Sequence, residues 1–223
     1  MLASIDRPPN FSADRQVTGI DELYRRAFGL LDSSQTRRAF NLTGERESLR
    51  DKYGRSRFGQ TLLLTRRLVE ARVPLITVNW SKLNADQWDT HKNNYPRLRK
   101  MLPPFDQGLA AFLQDLDERG LLESTLVVCL GEFGRTPKIN KDAGRDHWPD
   151  CYSLVLAGGG IRGGQVFGAS NRSAAYPIRD DVAPWDIAAT MYHLMGIPPS
   201  THINNRQGQP LPVARGRVIS QLL

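Results

Sequence analysis

Six residues in a row, T-L-V-V-C-L at 125–130, form an apolar run that stops at a glycine and gives way at once to Glu132, Phe133, Gly134 and Arg135. A short continuous apolar run bounded by turn residues is the pattern of a strand covered on both faces, and such strands belong to parallel sheets flanked by helices. In open α/β sheets ligands sit outside the carboxyl ends of the strands. Charge arriving where this strand stops therefore makes Glu132 and Arg135, with Asp146 and His147 shortly after, a candidate site.

The surrounding sequence repeats that plan. Leu62, Leu63, Leu64, Leu68 and Val69 predict a helix over 59–73, and the apolar stretch that follows predicts a strand over 73–78 leading to Asp86, Asp89 and His91. Phe105, Leu109, Phe112, Leu113 and Leu116 lie on one face of a helix expected over 103–119, closed by Gly120 and followed by the 125–130 strand. A shorter strand is expected at 152–157, then a tight turn at G-G-G-I-R-G-G, then a helix begun by Pro184, where the missing N–H costs least. Upstream, Ile20, Leu23, Tyr24, Ala27, Leu30 and Leu31 recur at helical spacing, and two further short helices are expected, one capped by Ser33 or Ser34 and running through Phe40, one over 45–53. The whole reads as one α/β domain over 1–223 whose first 58 residues are mostly helical.

Charge narrows the choice of partner. The chain carries a formal net charge of +7, and residues 1–72 hold 14 basic against 9 acidic side chains. A phosphate or sulfate suits that bias. No basic run interleaved with aromatics accompanies it, so nucleic acid is an unfavoured partner and an arginine-rich solvated helical surface is the simpler account. Cys129 and Cys151 have neither disulfide-framework nor metal-type spacing and are expected as core thiols. No stretch has the apolar length of a membrane span, and the first residues lack the apolar core of a signal peptide.

Three clusters carry the chemistry. Asp89-Thr90-His91 sets a carboxylate and an imidazole two residues apart, so in extended backbone both project from one face and can grip one cation. Asp146-His147 supplies a second pair, usable together only in a bent loop, and Glu132 adds a third carboxylate at a strand end. A metal or oxyanion site and a set of solvated polar loops are both compatible with these residues. Arg135 either binds an anionic ester through its planar fork or pairs with Glu132. The glycine-rich turn lacks the spacing of a phosphate loop, and G-x-S-x-G is absent, so triad chemistry has no support.

The segments L-V-V-C-L-G-E-F-G-R-T-P, G-R-D-H-W-P, L-A-G-G-G-I-R-G-G-Q-V-F-G-A-S and A-P-W-D-I-A-A-T-M-Y-H-L-M-G-I, with A-F-N-L-T-G-E-R-E-S-L-R-D-K-Y-G and W-D-T-H-K-N-N upstream, closely resemble a bacterial family, domain-of-unknown-function family 1501 (DUF1501). That family is similar in turn to the alkaline phosphatase and sulfatase superfamily. The resemblance implies an α/β fold with a mainly parallel sheet flanked by helices, alkaline-phosphatase-like and lacking its N-terminal strands, since the chain resembles the C-terminal half of a longer protein. It implies a divalent metal (Zn, Mn, Mg or Ca) held by Asp89, His91, Glu132, Asp146 and His147, with Arg135 orienting an anionic small-molecule or polysaccharide ester for hydrolysis. The superfamily's nucleophile has no counterpart in this chain, and Phe133 stands where its Asp-His-Gly motif has histidine. A full-length parent is expected to be exported or periplasmic. The competing expectation is a non-catalytic binding or scaffold protein that keeps the fold.

Overall fold

Leucines on one face of 57–70 and apolar residues on one face of 94–118 must be buried together, and these two helices pack against each other as the main contact of the molecule. The computed structural model describes residues 34–80 and 88–223, with Tyr24 and Gly29. Of the helix expected over 20–31, only Tyr24 and Gly29 fall among the described residues, and both are helical. The first helix described in full is α1 (Ser34–Ala39), followed by a 3-10 turn (Leu42–Gly44), α2 (Glu47–Lys52) and α3 (Arg57–Glu70), whose N-terminal amide of Gly59 is capped by Ser56 Oγ at 3.1 Å. Helix α4 (Asn94–Glu118) carries the opposing face. Tyr53, Leu62, Leu63, Ala111, Phe112 and Leu116 form the core between them, and Leu63 and Leu116 are wholly buried, each stabilising the fold by about 1.5–3 kcal/mol.

Charge is buried in this helical layer as well. Arg66 is only 2% exposed and stands 2.8 Å from Glu45, 2.5 Å from Glu70 and 3.0 Å from Asp115. Its Nε and Nη2 lack the alignment of hydrogen bonds, so they are held by ion pairing. Asp115 also accepts the Tyr53 hydroxyl at 2.8 Å and Arg119 Nε at 2.6 Å. Burial, reinforced by that carboxylate, pushes the Tyr53 phenol well above its ordinary range.

Helix α4 begins nine residues before the expected start at Pro103 and runs through Pro103 and Pro104. Proline at a helix start is the commoner arrangement because its missing N–H is unneeded there. Here the first turn is fixed from outside, since Asn93 N donates to Asp142 O at 3.1 Å and Asn94 N to Ala143 O at 2.9 Å.

The strands are short and pair antiparallel in four two-stranded ladders. Strand β1 (Val127–Cys129) pairs with β4 (Val155–Ala157), with Val128 opposite Leu156; β2 (Gly134–Arg135) pairs with β3 (His147–Trp148); β5 (Ala169–Ser170) with β6 (Pro177–Arg179); and β7 (His202–Asn204) with β8 (Pro210–Pro212). Among the described residues no parallel pair is formed, so the sheet expected from the apolar runs is not assembled by them. Residues 73–78, expected as a covered strand, are not in a ladder, and from 74 to 79 the backbone makes no hydrogen bond to a described residue. Leu75 is 76% exposed. This segment and residues 126–130 line one cavity of about 2440 Å³, which Leu130 and Val155 also face. An apolar run specifies an extended, buried-seeking backbone, while a ladder also needs a neighbour within reach.

Helix α5 (Pro184–Leu194) starts at the expected proline, and Asp186 closes its first turn by accepting Ala183 N at 3.0 Å. The tail is tied to it: Arg217 N donates to Asp186 Oδ1 at 2.8 Å and Ile219 N to Thr190 Oγ1 at 3.0 Å. Cys129 and Cys151 are free, half-buried thiols, and burial raises that of Cys129. Among the described residues no helix is long and apolar enough to cross a membrane.

Candidate metal centre

Two loops and one ladder build the site. The first loop, 88–93, is anchored by Trp88, whose ring meets Trp80 edge-on at 5.2 Å and Phe105 at 5.7 Å, while Trp80 stacks on Phe58 at 4.2 Å. Thr90, buried behind it, hydrogen-bonds through its hydroxyl to Asn94 Oδ1. The second loop, 140–146, is zipped to the first: Arg145 N donates to Thr90 O at 2.9 Å, beside the Asn93 and Asn94 amides already described. Gly144 lies so close that a Cβ there would be 1.9 Å from the His91 carbonyl oxygen. Only glycine permits that approach.

The β2–β3 ladder supplies the rest. Its register sets Arg135 opposite His147, and Gly134 opposite Trp148, where a Cβ on Gly134 would be 2.1 Å from Cys151 O. Residues that are 12 apart in sequence thus share one edge of the site.

The side chains converge on one carboxylate oxygen. Asp89 Oδ1 is 3.0 Å from His91 Nε2 and 3.0 Å from His147 Nε2, and the two imidazole nitrogens are 3.2 Å apart. Arg135 Nη1 donates to the same oxygen at 2.6 Å. The arginine first, then the hydrogen bond from His147, hold the Asp89 carboxyl down at about 2, so it is an anion at neutral pH. On the far side of the ring, His91 Nδ1 is 2.7 Å from Asp146 Oδ1, and that hydrogen bond leads in holding the Asp146 carboxyl below its ordinary value. An ionised carboxylate only accepts, so Nδ1 carries a ring proton; in the neutral ring Nε2 then faces Asp89 and His147 with its lone pair.

The triangle of 3.0, 3.0 and 3.2 Å has the dimensions of a metal face. Tetrahedral ligands at zinc bond lengths of ~2.0–2.1 Å lie ~3.3 Å from one another. Two imidazole nitrogens this close also repel unless a proton or a cation lies between them. The donor set, two imidazoles and a carboxylate on an open surface, fits zinc or a similar divalent ion with further positions free for water or substrate. Among the described residues Asp89, His91 and His147 are the group so placed.

The five residues expected as ligands therefore separate. Asp89, His91 and His147 meet; Asp146 sits behind His91, where a carboxylate orients a ligand; and Glu132 lies beside Arg135 at 4.0 Å, 67% exposed and apart from the triangle. Arg135 is at the site, its guanidinium 5.7 Å above the Phe133 ring. Phe133 packs against His147 with ring centres 4.3 Å apart. Asn140 was not singled out by its sequence context. It donates through Nδ2 to His91 O at 3.0 Å and to Asp146 Oδ1 at 3.1 Å. The only local sign of it is N-K-D-A-G, a composition in which asparagine side chains cap their own turn.

The helix-and-hairpin scaffold thus presents an Asp-His-His group that could hold a metal ion, with an arginine beside it. A family model described as protein of unknown function (DUF1501) matches residues 3–223, and the chain belongs to that family. No curated protein and no solved structure matches it at a significant level.

Proposed function

We propose that this chain binds one divalent cation through Asp89 Oδ1, His91 Nε2 and His147 Nε2, as part of a sulfatase- or phosphatase-like site of alkaline-phosphatase-like α/β architecture that acts on anionic esters. The observation carrying this reading is the 3.0–3.2 Å triangle of ligand atoms, with His91 held in the ligating tautomer from behind. A cation bound there supplies Lewis acidity toward an ester oxygen or a coordinated water. The chain's own residues do the remaining work. Asp146 keeps the proton of His91 on Nδ1, and Asp89 supplies the negative charge that favours a cation. Arg135, with Nη1 on Asp89 and Nη2 4.0 Å from Glu132, stands ready to orient a phosphate or sulfate oxygen through its planar fork. The apolar side of Phe133 closes the position next to His147, which limits the site to one cation.

That same packing motivates a second reading, a binding or scaffold protein that holds the cation and the anion without turnover. Titrating EDTA-treated protein with zinc decides the first part: one equivalent bound, and none after His91→Ala or His147→Ala, is the expected result. Failure of both variants to alter binding overturns the site. Release of nitrophenol from p-nitrophenyl phosphate or p-nitrophenyl sulfate by the zinc-loaded protein, lost on Arg135→Met, separates hydrolase from scaffold.

A further inference from the structure

We infer that Asn140 is a positioning residue of the cation site, acting on His91 through Asp146 and through the backbone of the 88–93 loop; this rests on the cation reading above. Asn140 makes no hydrogen bond to the three ligand atoms themselves, and its amide is saturated. Nδ2 spends its two hydrogens on His91 O at 3.0 Å and Asp146 Oδ1 at 3.1 Å, while Oδ1 accepts Asp142 N at 3.0 Å and Gly144 N at 2.9 Å. The orientation of the amide follows from these partners, because turning it over would face oxygen to two oxygens and NH2 to two N–H groups.

Each of the four bonds fixes something different. The two accepted by Oδ1, with Asn140 N donating to Gly144 O at 2.9 Å, hold residues 140–144 in a closed turn. That turn delivers Gly144 against the His91 carbonyl. The bond to His91 O pins the ligand's backbone. The bond to Asp146 Oδ1 falls on the same oxygen that receives His91 Nδ1–H, so it locks the carboxylate in the rotamer that sets the ring. Asp146 N is also tied, donating to Thr136 Oγ1 at 3.1 Å. Asn140 thus touches both the main chain of a ligand and the group orienting its ring. Aspartate in its place sets an oxygen against the His91 carbonyl and the Asp146 carboxylate, and alanine removes all four bonds.

Two measurements on the full chain test the inference. In metal-free protein, long-range proton–nitrogen NMR correlations of the histidine rings report which nitrogen of His91 carries hydrogen; wild type is expected to show the Nδ1–H form, and Asn140→Ala and Asn140→Asp a mixture or the Nε2–H form. In zinc titrations both variants are expected to bind about 10–100-fold more weakly, the usual loss when an outer partner of a metal ligand is removed. Circular dichroism confirms that the fold persists. If Asn140→Ala fails to fold, Asn140→Asp, which keeps the Oδ1 acceptor of the 140–144 turn and loses only the Nδ2 donor, is read in its place. Retention of the wild-type His91 tautomer and zinc affinity in the variant read overturns the inference. Absence of zinc binding in wild type sinks the cation reading alone, because the tautomer of the metal-free protein still tests the positioning role.

Discussion

Arg66 and Asp89 each stand at the centre of an ion cluster, and the two clusters use the same kinds of side chain in opposite surroundings. Around Arg66, three carboxylates surround a guanidinium that is 2% exposed, and Tyr53 and Arg119 close the remaining positions on Asp115. Around Asp89, which is 60% exposed, one arginine and two imidazoles share a single oxygen. In the first cluster Arg66 and Asp115 are sealed from water and matched by Glu45, Glu70 and Arg119 at its edge, so its role is to hold α3 and α4 in register with the preceding turn. In the second, one guanidinium and two imidazoles converge on one carboxylate oxygen and solvent reaches them. An additional ion changes the first at great cost and the second at little. Burial and stoichiometry, more than residue type, decide which cluster is structural and which can bind.

The largest expected effect lies in the sealed cluster. Arg66→Ala leaves Glu45 and Asp115 without their common partner and should cost about 3–5 kcal/mol, read as a lower urea midpoint; a loss under about 1 kcal/mol would erase the contrast. Next comes Gly144→Ala, which forces a Cβ into the His91 carbonyl. The two loops must then part, and zinc affinity should fall about 100-fold or more while the α3–α4 core keeps its protection from amide exchange. Core exchange rising together with lost zinc would show that site and core are one unit. His91→Ala and His147→Ala should abolish zinc binding yet alter the stability of the metal-free chain by no more than about 0.5 kcal/mol, as exposed side chains do. The smallest effect concerns acid. The Asp89 carboxyl titrates at about 2 in the folded chain, below the ~3.9 of a free aspartate. Its pairing therefore contributes stability that is complete above about pH 4 and is lost as pH falls through about 2. Asp89→Asn should remove that acid-dependent loss and lower thermal stability modestly at pH 7, where the pairing is complete, the two proteins converging below about pH 2; equal stability at pH 7 would contradict the assignment.

Much of this was legible in the residues, for identifiable reasons. The 59–73 periodicity found α3, Pro184 found the start of α5, and Asp-x-His with Asp-His found four of the side chains that gather at the site. What failed to show depends on partners distant in sequence. The start of α4 at Asn94 is set by Asp142 and Ala143, so the proline pair at 103–104 was a misleading boundary. The division of labour among the carboxylates was hidden in part. The pairing of Glu132 with Arg135 was one of two readings of their spacing, whereas nothing in Asp146 alone says that it backs His91. Asn140 is a polar residue in a polar loop until the fold turns it toward His91. The runs at 73–78 and 125–130 look alike as sequence, yet only the second has a strand, β4, within reach.

The extended segment at 73–78 also governs how the protein behaves in a tube. Among the described residues the amides and carbonyls of 74–79 have no hydrogen-bond partner, the state in which an apolar segment is a template for a strand, and Leu75 stands out into solvent. The net charge of +7 opposes close approach between copies at low ionic strength. Salt screens that repulsion within about 10 Å at 0.1 M and leaves the edge uncovered. High salt is therefore expected to promote association of this chain and low salt to oppose it, a difference that light scattering reads.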